Sequence, residues 1–287
     1  MSDMAVVSSG AGFWRRARRH RSFVFGGILS AVLVGTAALS LVWTPHSPYR
    51  IDIPNRLKPM SPTYWLGTDP FGRDVFSLLM TGAQNSIVVG VVAVAIGMLL
   101  GTALGLLASA RRGWVEELVM RFTDFSFAFP AILTAIMLTA VLGPGTVNSI
   151  IAIGIFNIPV FARVARGAAN AVWSREFVLA ARACGRGRLR ITFDHVLPNI
   201  VSVIVVQATI RFALAILAEA ALSYLGLGTQ PPNPSWGRML NEAQTLIYIA
   251  PQLAIFPGIA IALAVLGLNL LGDGLRDLVD PRLIRRR

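Results

Sequence analysis

Long stretches of this chain carry no charge at all, and that limits its fold before any other feature is weighed. Ser22 to Val42, Ser86 to Ala110 and Ile249 to Leu271 hold neither acid nor base. Each reaches the roughly 20 apolar residues that a helix needs to cross ~30 Å of hydrocarbon. Three further runs are less clean. Phe122 to Leu142 has Asp124 near one end and Pro130 inside, Val147 to Ala162 is short and stops at Arg163, and Val196 to Leu225 contains Arg211 and Glu219. Only 14% of the 287 residues are charged, against about a quarter in a soluble domain. The expectation is an all-α polytopic membrane protein with six transmembrane helices.

Six crossings leave both termini on one side, and loops rich in Arg and Lys belong in the cytoplasm. With the N-terminus inside, the inner segments hold 20 of the 26 basic residues and the outer segments 5. The net charge of +12 is therefore an orientation signal, with attraction to anionic inner-leaflet lipid added. Nucleic acid is not needed as a partner. Arg15 to Arg21 precede an apolar run of 21 residues, longer than the ~7 to 15 of a secretory signal, so the first span is read as retained.

Several chemistries are excluded by residue type. Cys184 is the single cysteine, which rules out a disulfide framework. Lys58 is the only lysine and Pro59 follows it, so the phosphate loop G-x-x-x-x-G-K-S/T is absent and ATP hydrolysis must reside on another polypeptide. His20, His46 and His195 are scattered, without the pairing that a zinc site or a hydrolytic triad needs. Thr68, Asp69 and Asp74 offer oxygen ligands, but not at the spacing of a Ca²⁺ loop. The chain is expected to bind no metal or cofactor and to carry no catalytic residue.

Between the spans, Pro45, Pro48, Pro54, Pro59 and Pro62 prevent continuous helix and predict an ordered or extended external loop. The rhythm Val75, Phe76, Leu78, Leu79 predicts a short interfacial helix leading into the second span. Gly90, Gly97, Gly101 and Gly105 fall on one face of that span, where small residues let another helix backbone come close. In the second external loop, Pro231, Pro232, Pro234 and Trp236 read as a rigid turn with an aromatic at the membrane interface, or as contact with an external partner.

The longest inner loop, 163 to 195, has the pattern of an amphipathic helix. Ser174 is the expected N-cap, Glu176 sits in the first turn, Phe177, Ala181 and Cys184 follow at i, i+4 and i+7, and Gly185 and Gly187 end the helix. Ala180 and Ala181 leave room for close approach, while Arg182, Arg186, Arg188 and Arg190 offer charge to a partner.

Here the chain resembles a known family. Leu179-Ala180-Ala181, then Gly185, then Leu197-Pro198 resembles the "EAA" coupling loop of ATP-binding-cassette importer permeases, with Leu179 where the family name has Glu. Leu66-Gly67-Thr68-Asp69-Pro70-Phe71-Gly72-Arg73-Asp74, continuing to Ser77 and Gly82, is similar to the external signature of the C-type permease subunit of dipeptide and oligopeptide importers. Leu78 and Gln84 depart from it where arginine is usual. Glu219 to Gly228, the run to Gly237, and Leu271 to Arg282 resemble the same subunit.

The resemblance implies a type I importer permease fold in a bacterial inner membrane, with both termini cytoplasmic. It implies that Glu176, Phe177, Ala180, Ala181, Arg182, Gly185, Leu197 and Pro198 form a loop docking on a cytoplasmic ATPase. ATP and Mg²⁺ would sit on that partner. A second, B-type permease and an extracytoplasmic binding protein complete the implied assembly, with Gly67, Thr68, Asp69, Gly72, Arg73 and Asp74 as the external motif. Di- and oligopeptides are the implied cargo, with nickel, glutathione and antimicrobial peptides as alternatives. The expected organisation is an N-terminal arm, first span and external loop over 1–85, a permease core over 86–276, and a basic tail over 277–287.

Arg211 and Glu219 are costly at mid-membrane, about 2.5 to 3.5 kcal/mol each on insertion scales. Eight residues apart, they differ by ~80° around a helix and ~12 Å along it, so direct pairing is not expected. Either they line the translocation pathway, with Arg211 meeting a peptide carboxylate or carbonyl, or they hold a neighbouring span. A stand-alone secondary transporter is the rival class, and would usually carry more ionisable positions at that depth.

Overall fold

The computed structural model describes residues 10–279. All of its regular structure is helical among those residues, apart from a single isolated bridge between Thr68 and Asp74. A short helix, α1 (Gly10–Ala17), precedes α2 (Arg21–Ser40), and an ordered loop with one 3-10 turn (Ile53–Asn55) leads to α3 (Val75–Arg111). There follow α4 (Gly113–Phe127), α5 (Ala131–Leu142), α6 (Thr146–Trp173), the eight-residue α7 (Glu176–Ala183) and α8 (Arg188–Ile191). A π-turn (Thr192–Val196) joins α8 to α9 (Leu197–Tyr224), then come α10 (Trp236–Ala243) and α11 (Gln252–Val279). The basic tail beyond residue 279 lies outside the described residues.

Five of these segments are long and apolar enough to cross a membrane, and the bent pair α4–α5 supplies a sixth crossing if taken as one span. Packing supports the sixth. A Cβ on Gly97 would meet Asn157, and one on Gly105 would meet Ala162 and Ala165, so α3 and α6 run in the same direction. Two parallel helices need the chain returned between them, and α4–α5 is the segment that does so. The glycine face read from the sequence is this interface, and a Cβ on Gly101 would lie 2.4 Å from the Ile158 carbonyl oxygen. Backbones this close gain the dispersion contacts that hold helices together in lipid.

Two sequence expectations need correction, and a third gains its geometry. The interfacial helix before the second span does not exist as a separate element, because α3 runs unbroken for 37 residues from its Asp74 cap. Nothing between Val75 and Ser86 lacks a backbone donor or forces a bend. The third span bends at the proline read inside it: α4 and α5 meet at 88°, where Pro130 removes an N–H and disfavours helix at Phe129. The fourth span continues past the expected stop at Arg163 to Trp173, and its arginines are paired: Arg163 with Asp124, and Arg166 Nε with Glu116 at 2.6 Å.

α2 packs antiparallel on α11, with the Gly26 and Gly274 positions against Leu271 and Phe23 backbone. His20 caps α2, accepting from the Phe23 N–H at 3.4 Å, and its other ring nitrogen lies 3.2 Å from Asp277. The first and last spanning helices therefore present residues 20 and 277 at one end of the bundle, the end that also carries α7.

Candidate functional site

At that end, α7 lies beyond the spanning helices and is held by few contacts. Val178 is its anchor, wholly buried, and Ala181 packs beside it one turn on. The face expected from the sequence is thus only partly right. Ala181 turns inward, but Phe177 is 42% exposed with its ring edge-on to His195, and Cys184 is exposed. The Ser174 cap is also displaced: its hydroxyl donates to the Ala171 carbonyl at the end of α6, and Arg175 takes the cap position of α7 without a side-chain bond. A helix of two turns has one inward-facing position per turn, and the ending of α6 already takes the serine.

The outward surface of α7 is formed by Glu176, Phe177, Leu179, Ala180 and Arg182, all exposed. Gly185 follows at φ +79°, the left-handed conformation that ends a helix without side-chain strain. The four arginines expected to face a partner divide. Arg186 and Arg190 both reach Asp194, at 3.0 and 3.5 Å, and Arg188 donates to the Ala110 and Arg111 carbonyls at the end of α3. Arg182 alone of the four has no such bond among the described residues. Pro198 supplies no N–H, and the π-turn just before it passes into α9 with helical backbone throughout. The α7–α8 segment is thus tied to α3 through Arg188 and to α9 by continuous backbone.

Deeper in the bundle, α5, α6 and α9 enclose an open cavity of about 350 Å³ lined by Ile132, Phe156, Asn157, Leu214 and Leu217, together with Arg211. The buried Nε of Arg211 has no hydrogen-bond partner, and no ion pair to this side chain exists among the described residues. Glu219 is placed differently. It is 0% exposed and caged by hydroxyls: Ser223 donates at 2.7 Å, Ser86 at 3.1 Å and Thr229 at 3.3 Å. One residue of the pair faces a cavity and the other is sealed inside the chain. As expected, they do not pair.

At the opposite end, the external motif folds into a knot. Gly67 and Gly72 take φ of +77° and +76°, and a Cβ on Gly72 would lie 1.8 Å from the Asp52 carbonyl oxygen. Thr68 Oγ1 donates to the Asn55 carbonyl at 2.5 Å and accepts from the Lys58 N–H at 2.8 Å. Asp69 accepts from the Phe71 and Arg73 N–H groups, both at 2.8 Å, and from Arg73 Nε at 2.6 Å. Arg73 also reaches Glu242 at 2.7 Å. Asp74 caps α3 through the Ser77 N–H at 2.9 Å. The Thr68 and Asp69 oxygens and Asp74 Oδ2 are taken by the chain's own donors, Asp74 Oδ1 is buried without one, and no three-residue metal cluster exists among the described residues.

Trp236 is not the interfacial aromatic expected. It is 3% exposed, and its indole N–H donates to the Leu79 carbonyl at 3.0 Å. The tryptophan fits because Gly82 has no side chain where the indole lies. Sequence reasoning missed Val178 and Asn157, which carry no motif signal, and missed Glu116 and Asp124 as arginine partners, for which charges at span ends were a usable clue.

Residues 97–285 match the family described as binding-protein-dependent transport system inner membrane component, and residues 8–59 match the N-terminal TM domain of oligopeptide transport permease C. A glutathione transport system permease protein, GsiD, from Pectobacterium atrosepticum is 43% identical over 98% of this chain and 94% of its own length. A dipeptide transport system permease protein, DppC, from Alkalihalophilus pseudofirmus is 42% identical over 94% of this chain and 90% of its own. GsiD of Escherichia coli O157:H7 is 46% identical over the same shares. Among solved structures, the inward-facing MetNI methionine ABC transporter has a chain that aligns with a TM-score of 0.60 at 18% identity, covering 71% of this chain and 97% of that one. That likeness concerns the fold.

Proposed function

The chain belongs to the family of inner-membrane components of binding-protein-dependent transport systems, and from that premise we propose that it is one half of the translocation pathway of an ATP-driven importer of short peptides. The observation that carries this reading is the exposed surface of α7, a two-turn helix anchored by Val178 and Ala181 with Glu176, Leu179, Ala180 and Arg182 facing outward. Such a helix fits a groove on another protein, with small Ala180 at the point of closest approach and Arg182 beside it.

The physical sequence runs from fuel to pore. A separate ATPase closes on ATP and moves α7. Because Arg188 is bonded to the end of α3 and the π-turn continues into α9, α7 movement is passed to two spanning helices together. Near-rigid displacement of packed helices then alternates access between the two membrane sides. The positive charge at the α7 end supports a cytoplasmic location for that end and both termini, with the loop around Arg73 outside, where a binding protein delivers cargo. A second permease completes the pore.

The cavity beside Arg211 is this chain's share of the pathway. An arginine without a partner at that depth is costly unless an anion visits it, and a peptide supplies a carboxylate. Glu219 acts as a buried node holding α3, α9 and the following loop in one outer unit. Relatives named for dipeptide and glutathione transport support peptide cargo.

The test is purification of the chain with its co-purifying subunits, reconstitution in liposomes, and uptake of labelled dipeptide and glutathione with and without ATP. ATP-dependent uptake that requires the co-purified ATPase is expected. Uptake by the isolated chain without ATP would establish the secondary-transporter alternative.

A further inference from the structure

A groove separate from the Arg211 cavity lies where the loop carrying α8 meets the spanning helices. It runs along the α7-end halves of α3 and α9, has a volume of about 530 Å³, and is walled by apolar side chains including Leu99, Ala103, Leu107, Val201 and Val205. From Met98 to Arg111 a helix rises ~20 Å. One leaflet of the hydrocarbon core is roughly 15 Å, so the groove has the length of an acyl chain. α3 and α9 form its long walls, and Arg188, Leu189, Thr192 and Phe193 of α8 and the π-turn close one end.

Charge gathers at one mouth. Arg111 and Arg188 line the groove there, and Arg112 follows at the α3 terminus. The Arg188 guanidinium is drawn in by the Ala110 and Arg111 carbonyls at 3.2 and 3.3 Å. None of the three has an acidic partner among the described residues, although Arg186 and Arg190 close by share Asp194. Three neighbouring cations with no internal counter-ion, at the end of an apolar channel of one-leaflet length, match a single ligand chemistry: a phosphate joined to an alkyl chain.

We infer that this groove is a binding site for an anionic phospholipid of the cytoplasmic leaflet, its acyl chain along α3 and α9 and its headgroup on Arg111, Arg112 and Arg188. The lipid would sit where Arg188 ties the lever loop to α3, and so would brace the joint through which α7 acts. The assignment of the groove to the cytoplasmic leaflet rests on the orientation proposed above. Binding itself does not depend on the transport cycle.

The experiment is native mass spectrometry of the intact, delipidated complex titrated with phosphatidylglycerol, with phosphatidylcholine, and with inorganic phosphate as competitor. Retention of phosphatidylglycerol under conditions that strip phosphatidylcholine, undiminished by phosphate, is expected. Arg111→Gln with Arg112→Gln spares the Arg188 bonds and should weaken phosphatidylglycerol binding about thirtyfold, at about fivefold per arginine near an anionic surface. Ala103→Phe, which fills the groove without touching charge, should weaken both lipids. Equal retention of the two lipids, displacement by phosphate, or insensitivity to both variants would overturn the site. So would a photo-crosslink from position 107 to a second permease subunit, which would put a protein helix in the groove. Peptide uptake measured on the same preparations reports separately on the transport reading.

Discussion

The Ser86 hydroxyl on α3 donates to the Glu219 carboxylate on α9 across 3.1 Å, inside a shell from which solvent is excluded. Ser223 and Thr229 supply two more O–H donors to the same side chain, so one carboxylate joins two spanning helices and the loop that follows them.

Glu219→Ala leaves three hydroxyls without their acceptor and opens a void. A loss of about 3 kcal/mol or more is expected, since each buried polar group left unsatisfied costs about 1 to 3 kcal/mol. Glu219→Gln keeps the volume and one acceptor oxygen, and should lose about half as much. Thermal unfolding of the purified complex in detergent checks the order of the two variants.

Gly101→Ala puts a methyl group 2.4 Å from the Ile158 carbonyl oxygen. Overpacking of this kind costs about 1 to 3 kcal/mol, and here it forces α3 from α6. Gly167 also lies in α6, but has nothing within 4 Å of its Cβ position. Gly167→Ala should be neutral or stabilising by up to about 1 kcal/mol, because alanine is the better helix former. Melting temperatures of the two variants should move in opposite directions or differ clearly in size.

How much of this was legible in the sequence follows the range of the interactions. The uncharged runs gave the spanning helices because lipid penalises every exposed charge, and the glycine spacing on α3 gave a packing face because the helix period is fixed. The 88° bend at Pro130 depends on where a proline falls relative to the membrane, which spacing alone leaves open. The burial of Trp236 was invisible because its acceptor, Leu79, is 157 residues away. Likewise α7 was visible as amphipathic, but its anchor was misread: a two-turn helix has too few positions for periodicity to distinguish Val178 from Phe177. The paired roles of Arg163 and Arg166 needed the position of α4, which only the fold supplies.

Arg73 links two carboxylates, Asp69 and Glu242, at 2.6 and 2.7 Å. Arg73→Ala leaves the buried Asp69 and the partly buried Glu242 facing each other, and should destabilise this loop by about 3 kcal/mol, the low end for breaking a buried pair because Asp69 keeps two backbone N–H donors. Limited proteolysis between residues 43 and 74 is the sensitive readout, and cleavage should quicken while the spanning helices stay intact.

Arg211→Gln retains polarity but removes the charge from the α5–α6–α9 cavity. If peptide carboxylates contact it in passage, uptake of an anionic dipeptide should fall about tenfold or more, the worth of one hydrogen bond to a charged group, and a C-terminally amidated analogue should be affected less. Equal effects on the two substrates would assign Arg211 a structural bond to the second permease instead.

The coupling role proposed for α7 is tested most directly at Ala180, which is exposed and takes no part in holding α7 to the bundle. The decisive measurement is ATP-driven peptide uptake by liposomes carrying the intact importer with Ala180→Trp in this chain. The account predicts that uptake falls to background and the ATPase no longer co-purifies, while the melting temperature of the chain stays at its original value. Uptake at the unsubstituted rate, with the tryptophan in place and the ATPase still bound, would contradict it.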